Sequence, residues 1–261
     1  MDRKFRILAV GDVTSPSAAE YLSSKLWSFR DKEKIDFTVV NAENGGFITG
    51  ATPEVMDRLL MGGADCLTGG NHTMRNRSAH RYLEESERAL RPVNFPGSVP
   101  GHGYTVLDAL GVRVLVINAM GTVNIDPVLN SPFEYIEKVL DKMKGGYDIS
   151  VLDIHAEATG EKMAVANYFD GRIDIVFGTH THVPTADECV LPKGTGYITD
   201  VGMCGESGGI LGIETGSVID SVMTHMPPKF SVAKGAVSAD GAVFTVDLNK
   251  HAVTEVKRVK I

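Results

Sequence analysis

Carboxylates, side-chain amides and histidines recur in this chain just after short apolar runs, and these are ligand types for divalent cations. Asp12 follows the run Phe5–Val10, and Glu43 and Asn44 follow Phe37–Val40. Asn71 and His72 follow Cys66–Thr68. His155 follows Ile149–Ile154, and His180 and His182 follow Ile173–Phe177. The set holds two carboxylates, two amides and four histidines. Without cysteine it suits Mn, Fe or Zn rather than a thiolate site. One divalent ion takes roughly four to six ligands, so the set exceeds the needs of one. Two ions sharing a bridging carboxylate would use it fully, and such pairs, about 3.5–4 Å apart, recur in enzymes that displace at phosphorus.

Each residue also has a structural reading. Asp12 alone reads better as a helix N-cap. Glu43 and Asn44 would equally solvate a Gly-rich turn, and His155 alone reads as a satisfied core histidine. His180-Thr181-His182 is harder to assign to packing. His80, His102, His225 and His251 lack the strand-end setting and are read as structural or exposed. Asn118 and Asp200, at other strand ends, read as turn caps in preference to groups orienting the histidines. Gly205-Glu206-Ser207-Gly208-Gly209 fits the Gly-x-Ser-x-Gly nucleophile motif of serine hydrolases. That motif needs a strand, a sharp turn and a helix, and Gly208–Gly212 is a poor helix start. A Gly-rich loop is the better reading.

The elements that carry these residues alternate. Strands are expected at Phe5–Val10, Phe37–Val40, Cys66–Thr68, Val112–Asn118, Ile149–Ile154 and Ile173–Phe177, and helices over 17–30, from Pro53 to about Leu60, over Pro132–Met143 and over Gly160–Phe169. A hairpin is expected with Phe230–Ala233 as its first arm, a turn at Asp240-Gly241 and Ala242–Leu248 as its second. Alternation implies layered α/β packing. In such sheets ligands bind beyond the carboxyl ends of the strands, so parallel neighbours would bring all five groups to one edge. The longer connections 119–131 and 202–213 leave room for a mixed sheet or a sandwich.

With 261 residues, 43% of them hydrophobic, the chain can bury the core of one α/β domain. No apolar run reaches the roughly 18 residues of a membrane span. The start Met1-Asp2-Arg3-Lys4 leads into a run too short for a signal peptide, so a cytoplasmic protein is expected. For the same reason the sequons at Asn71 and Asn76 carry no weight. Cys66, Cys189 and Cys204 form no CxxC pair and read as reduced structural thiols. The net charge of −7, with no Lys/Arg cluster, argues against a stable nucleic-acid partner. An acidic protein still binds phosphate where metal ions supply local positive charge.

In order and content these blocks resemble the calcineurin-like metallophosphoesterase superfamily. They read Gly11-Asp12-Val13, Asn41-Ala42-Glu43-Asn44, Gly70-Asn71-His72, His155 and Gly178-Thr179-His180-Thr181-His182. The first block lacks the usual Asp-x-His histidine, the second carboxylate is Glu43 where Asp is usual, and Thr179 is extra. Those departures, with the stretches Val40–Gly46, Asp153–Thr159, Gly178–Glu188 and Tyr197–Met203, resemble the YmdB-type bacterial 2′,3′-cyclic nucleotide phosphodiesterases over nearly the whole chain. The resemblance implies a four-layer α/β/β/α sandwich, as one metallophosphoesterase domain over residues 1–261. It implies two metal ions per chain, Fe or Mn first and Zn next, divalent or mixed-valence. It assigns Asp12, Asn44 and His182 to one ion, Asn71, His155 and His180 to the other, Glu43 as the bridge and His72 as the catalytic histidine. Hydrolysis of a 2′,3′-cyclic-AMP-like substrate would then proceed by attack of a hydroxide bridging the ions, with His72 giving a proton to the leaving oxygen. A homo-oligomer is expected on the same basis. Cys204–Ile213 departs from the family pattern and leaves base preference open. A non-catalytic regulator that binds metal and nucleotide is the rival reading, against which the retained His72 speaks.

Overall fold

The computed structural model describes residues 4–47, 49–227 and 229–261. Met1-Asp2-Arg3, where the export-signal reading begins, lie outside them. The apolar runs form two sheets. One is ordered β2 (Asp12–Val13), β11 (Met203–Glu206), β12 (Val237–Asp247), β1 (Lys4–Val10), β3 (Phe37–Asn41) and β4 (Cys66–Thr68), with β13 (Ala252–Lys260) also paired to β12. The other is ordered β5 (Tyr104–Ala109), β6 (Val112–Met120), β7 (Ile149–His155), β8 (Ile175–Thr179), β10 (Gly196–Ile198) and β9 (Cys189–Val190).

Side-chain alternation sorts each strand between two cores. In β1, Phe5, Ile7 and Ala9 point into the space between the sheets, where they meet Phe37, Val116, Val151, Phe177 and Phe244. Leu8 and Val10 point outward, against Leu22 and Leu26 of α1 (Pro16–Glu33) and Leu59 of α2 (Pro53–Met61). Leu83 of α3 (Ala79–Glu85) joins the same outer layer. The second sheet's outer face packs Leu115, Ile117 and Leu152 on Ile136 of α4 (Pro132–Met143) and Val165 of α5 (Thr159–Tyr168). This is the α/β/β/α sandwich that the resemblance implies. The last helix, α6 (Thr215–Thr224), has no buried residue.

The site-bearing strands divide between the two sheets, so the convergence of the five groups does not come from neighbours in a single sheet. β1, β3 and β4 are parallel neighbours in the first sheet, and β7 and β8 in the second. The sequence marks strand ends but not which face of which sheet each strand joins. One expectation is corrected: the hairpin is displaced. β12 runs unbroken through Asp240-Gly241, and the reversal falls between β12 and β13. A Cβ on Gly241 would lie 2.5 Å from Ala9 O, so this glycine permits close approach of β1 and makes no turn. Phe230–Ala233 contributes only the bridge Ile213–Val232. Among the described residues no helix is long and apolar enough to cross a membrane.

Candidate metal centre

The strand ends of both sheets meet at one point, and all eight singled-out residues lie there. Glu43 Oε1 is 3.4 Å from His155 Nε2 and 3.3 Å from His72 Nδ1. His155 Nε2 is 3.1 Å from Asn71 Oδ1 and 3.1 Å from His180 Nδ1. Glu43, His155 and His180 offer ligand atoms within 4.8 Å of one another. The grouping of Asp12, Asn44 and His182 is looser. Asp12 Oδ1 lies 3.9 Å from His182 Nε2, and Asn44 Nδ2 lies 3.5 Å from that nitrogen. Asn44 Oδ1 is turned to His72 Nδ1 at 2.6 Å, and a half-turn of the amide would present oxygen to His182.

Several features suit cations at this point. Asp12 Oδ1 and His182 Nδ1 are buried without a hydrogen-bond partner, an arrangement that costs free energy unless something is bound. A Cβ on Gly70 would lie 2.2 Å from Glu43 Oε2 and 2.3 Å from His155 Nε2, so only glycine keeps that space open. His180 and His182 adopt φ values of 100° and 65°, a region that side chains other than glycine rarely occupy. Such strain collects at functional sites.

The local chain explains how each group is held. Asp12 does not cap α1; Ser15 does, accepting from Ala18 N at 3.0 Å. Asp12 Oδ2 instead accepts from His180 N at 3.0 Å, which ties the first sheet to the second. His155 sits at the end of β7 with its Nδ1 2.9 Å from Thr179 Oγ1. Thr179 donates to Asp153 Oδ1 at 2.8 Å, so its oxygen accepts from His155. That fixes Nδ1–H and aims Nε2 at Glu43, the orientation a metal-ligating histidine needs. Asp153 is held in turn by Asn41 Nδ2 at 2.9 Å and Thr68 Oγ1 at 2.5 Å.

The capping reading holds for Asp200, whose Oδ1 accepts from Gly202 N at 2.9 Å in the turn that follows, but both Asp200 and Asn118 also do more. Asn118 clamps Gly69, accepting from its N–H at 3.0 Å and donating to its carbonyl at 3.0 Å, just ahead of Asn71. Asp200 Oδ2 accepts from Thr181 N and Oγ1, between the two strained histidines, and from Lys162 Nζ at 2.7 Å. Lys162 also donates to Thr179 O. Both residues therefore hold the loops that present the site. Sequence reasoning missed Asn41, Asp153, Lys162 and Thr179. The available signal was a polar residue inside an otherwise apolar strand, as in Asp153 of Ile149–His155.

Charge is tightly coupled here. Burial raises Glu43's pKa, but the neighbouring His155 and His72 outweigh it and bring it down to about 2. Burial lowers that of His155, yet Glu43 and Asp12 raise it to about 9. Burial, reinforced by charge on His155, takes His180 down to about 3. Asp12 is pushed up by burial. Burial also lowers His72. The favoured state is a proton on His155 shared toward a neutral His180 and an ionised Glu43.

Ser207 has none of this setting. It follows β11, stands exposed, donates to Ala236 O and leads into a turn with no helix. The nucleophile-elbow geometry is absent among the described residues.

A cavity of about 360 Å³ opens from the cluster, lined by Glu43, His72, His180 and His182 and also by Thr14, Phe47, Glu157, Thr181, Leu211, Ile213 and Phe230.

The chain matches the family model described as YmdB-like protein over residues 8–259. It is 37% identical over 256 residues to a Bacillus subtilis (strain 168) protein named 2′,3′-cyclic-nucleotide 2′-phosphodiesterase, covering 98% of this chain and 97% of that one. Among solved structures, a hypothetical protein from Thermus thermophilus aligns with a TM-score of 0.90 at 34% identity, over 98% of this chain and 99% of that one. A structure titled as a novel phosphatase from Mycoplasma pneumoniae aligns with a TM-score of 0.91 at 30% identity, over 100% of this chain and 94% of that one.

Proposed function

Since this chain belongs to the YmdB-like family and is a phosphoesterase, we propose that it hydrolyses 2′,3′-cyclic nucleotides with two metal ions. Asn71, His155 and His180 would hold one ion and Asp12, Asn44 and His182 the other, with Glu43 available to both. The observation that carries this reading is the convergence on Glu43 of oxygen and nitrogen donors from both sheets, with Asp12 Oδ1 buried and unpartnered beside them. Bound there, the ions would supply Lewis-acid charge that offsets negative charge developing on the phosphoryl oxygens.

The chain's own residues do the rest. The Asn44 amide lies 2.6 Å from His72 Nδ1 and fixes that ring at the cavity wall; with its oxygen turned toward His182, its N–H would donate to Nδ1. The other ring nitrogen is thereby left for the substrate. Burial favours neutral His72, but an arriving phosphodiester anion favours the imidazolium. His72 then donates its Nε2 proton to the leaving ribose oxygen. His155 is kept from rotating by Thr179 and Asp153, so its ligand nitrogen is oriented before any ion binds.

The test is metal content measured together with turnover on a panel of cyclic and linear phosphodiesters, on one preparation. The expected result is about two Fe or Mn ions per chain, activity on 2′,3′-cyclic nucleotides, and loss upon chelation that the metal restores. Tight binding of metal and nucleotide without turnover would favour the regulator reading instead.

A further inference from the structure

We propose that Phe47, Leu211 and Phe230 form a platform on which the face of the substrate's base lies, so that the enzyme selects for an aromatic base without reading its edge. The inference rests on the cyclic-nucleotide reading above and assigns the part of the cavity that the phosphate chemistry leaves unused. The cavity of about 360 Å³ is within the range of small-ligand sites and exceeds what a phosphate and a ribose fill. Its lining includes the large apolar side chains of Phe47, Leu211, Ile213 and Phe230, together with Thr14, Glu157 and Thr181. Leu211 is 41% exposed and Phe230 37%, and both line the same cavity as Phe47.

The backbone supports the assignment. Phe47 and Leu211 adopt φ values of 61° and 53°, the left-handed region that bulky residues avoid. Each is held there by a hydrogen-bonded turn. Phe47 N donates to Asn44 O at 2.8 Å, and Ile210 and Ile213 exchange N–H···O bonds of 2.9 Å around Leu211. Phe47 is thus fixed three residues from Asn44, at a set reach from the candidate centre. Two of the strained non-glycine residues lining the cavity are candidate ligands, His180 and His182, and the other two are this apolar pair. Strain maintained at four residues lining one cavity points to a shared ligand.

The platform residues carry no side-chain donor or acceptor, so they meet a π-face and cannot distinguish adenine from guanine by hydrogen bonds. Larger purine rings cover more of the wall than pyrimidines do.

The test compares kcat/KM of the Mn-supplemented enzyme for 2′,3′-cyclic AMP, GMP and CMP with that for glycerol 1,2-cyclic phosphate, which has no base. Wild type should prefer nucleotides, with AMP and GMP close together and CMP lower. Phe47→Ala and Phe230→Ala should each reduce the nucleotide-to-glycerol ratio about 5- to 150-fold, the range for losing one base–aromatic contact. Phe230→Trp should keep the ratio, and its indole fluorescence should change on adding adenosine 3′-monophosphate. An unchanged ratio in both alanine variants, with melting temperatures near wild type, overturns the platform alone. A wild type that cleaves glycerol cyclic phosphate as well as nucleotides does the same. A wild type inactive on every cyclic phosphodiester overturns the functional reading and the platform with it.

Discussion

His72 and His155 sit a few ångströms apart around one carboxylate, yet their surroundings set them to different tasks. His72 lies outside both candidate ligand sets, so His72→Ala should leave metal content unchanged and lower kcat on 2′,3′-cyclic AMP by about 10²–10⁴-fold. Turnover at the wild-type rate would remove it from the mechanism. His155 carries a pH signature. Its pKa in the fold, about 9, exceeds its ordinary 6.5, so in metal-free protein its contribution to stability is complete below 6.5 and is lost as pH rises through 9. Glu43, lowered from 4.5 to about 2, contributes above 4.5 and loses that contribution as pH falls through 2. A cation must displace the His155 proton, so Mn(II) affinity should rise up to about tenfold per pH unit until roughly pH 9. Titration calorimetry near pH 7.5 in buffers of different ionisation heat should record about one proton released. Release of none would contradict the proton placement. At this scale the sequence was highly legible, because strand-end polarity is a local pattern. Asp153 and Thr179 were hidden because their roles depend on partners in other strands, Asn41 and Thr68 among them.

α5 and the end of β8 form the unit that presents His180 and His182. Lys162 reaches from α5 to Thr179 O and Asp200, fully buried, and Asp200 grips Thr181. Lys162→Met should strand the Asp200 carboxylate and destabilise the fold by about 3–5 kcal/mol, read from denaturant midpoints. Metal affinity should fall as well, because the lysine restrains the carbonyl just before His180. Denaturation at the wild-type midpoint would mean the pair is dispensable. Most of the long helices and buried strands were readable from periodicity and capping, Pro132–Met143 to the residue. The β12–β13 hairpin was not. Asp-Gly is a strong turn signal, and only the approach of β1 to Gly241 reveals that the glycine serves a neighbouring strand. Short strands such as β9 to β11 carry too few residues to establish a period.

The candidate centre joins the two sheets, since Asp12, Glu43 and Asn71 come from one side and His155 and His180 from the other. Metal binding to the folded form should therefore raise thermal stability, by about 2.7 kcal/mol at a free concentration one hundred times Kd for one site. Hydrogen exchange should slow most at the carboxyl ends of β1, β3, β7 and β8. An Mn-independent melting curve would argue that no ion bridges the layers. The layered class was visible in the strand–helix alternation. The split between two sheets came from the family resemblance and not from periodicity, because parallel strands separated by helices look alike whichever sheet receives them.

β12 lies between β1 and β11, so the middle of the first sheet is closed by residues 237–247, opposite a strand made of residues 4–10. On a ribosome β1 would lack that neighbour until residues 237–247 had emerged. β11, which pairs with Asp12's short strand, leans on the same late segment. Assembly of the candidate centre thus waits for this distant segment, and loops of such sequence separation close slowly. A nascent chain halted before residue 237 would carry every candidate ligand from Asp12 to His182 and still lack the strand that brings Asp12 into line.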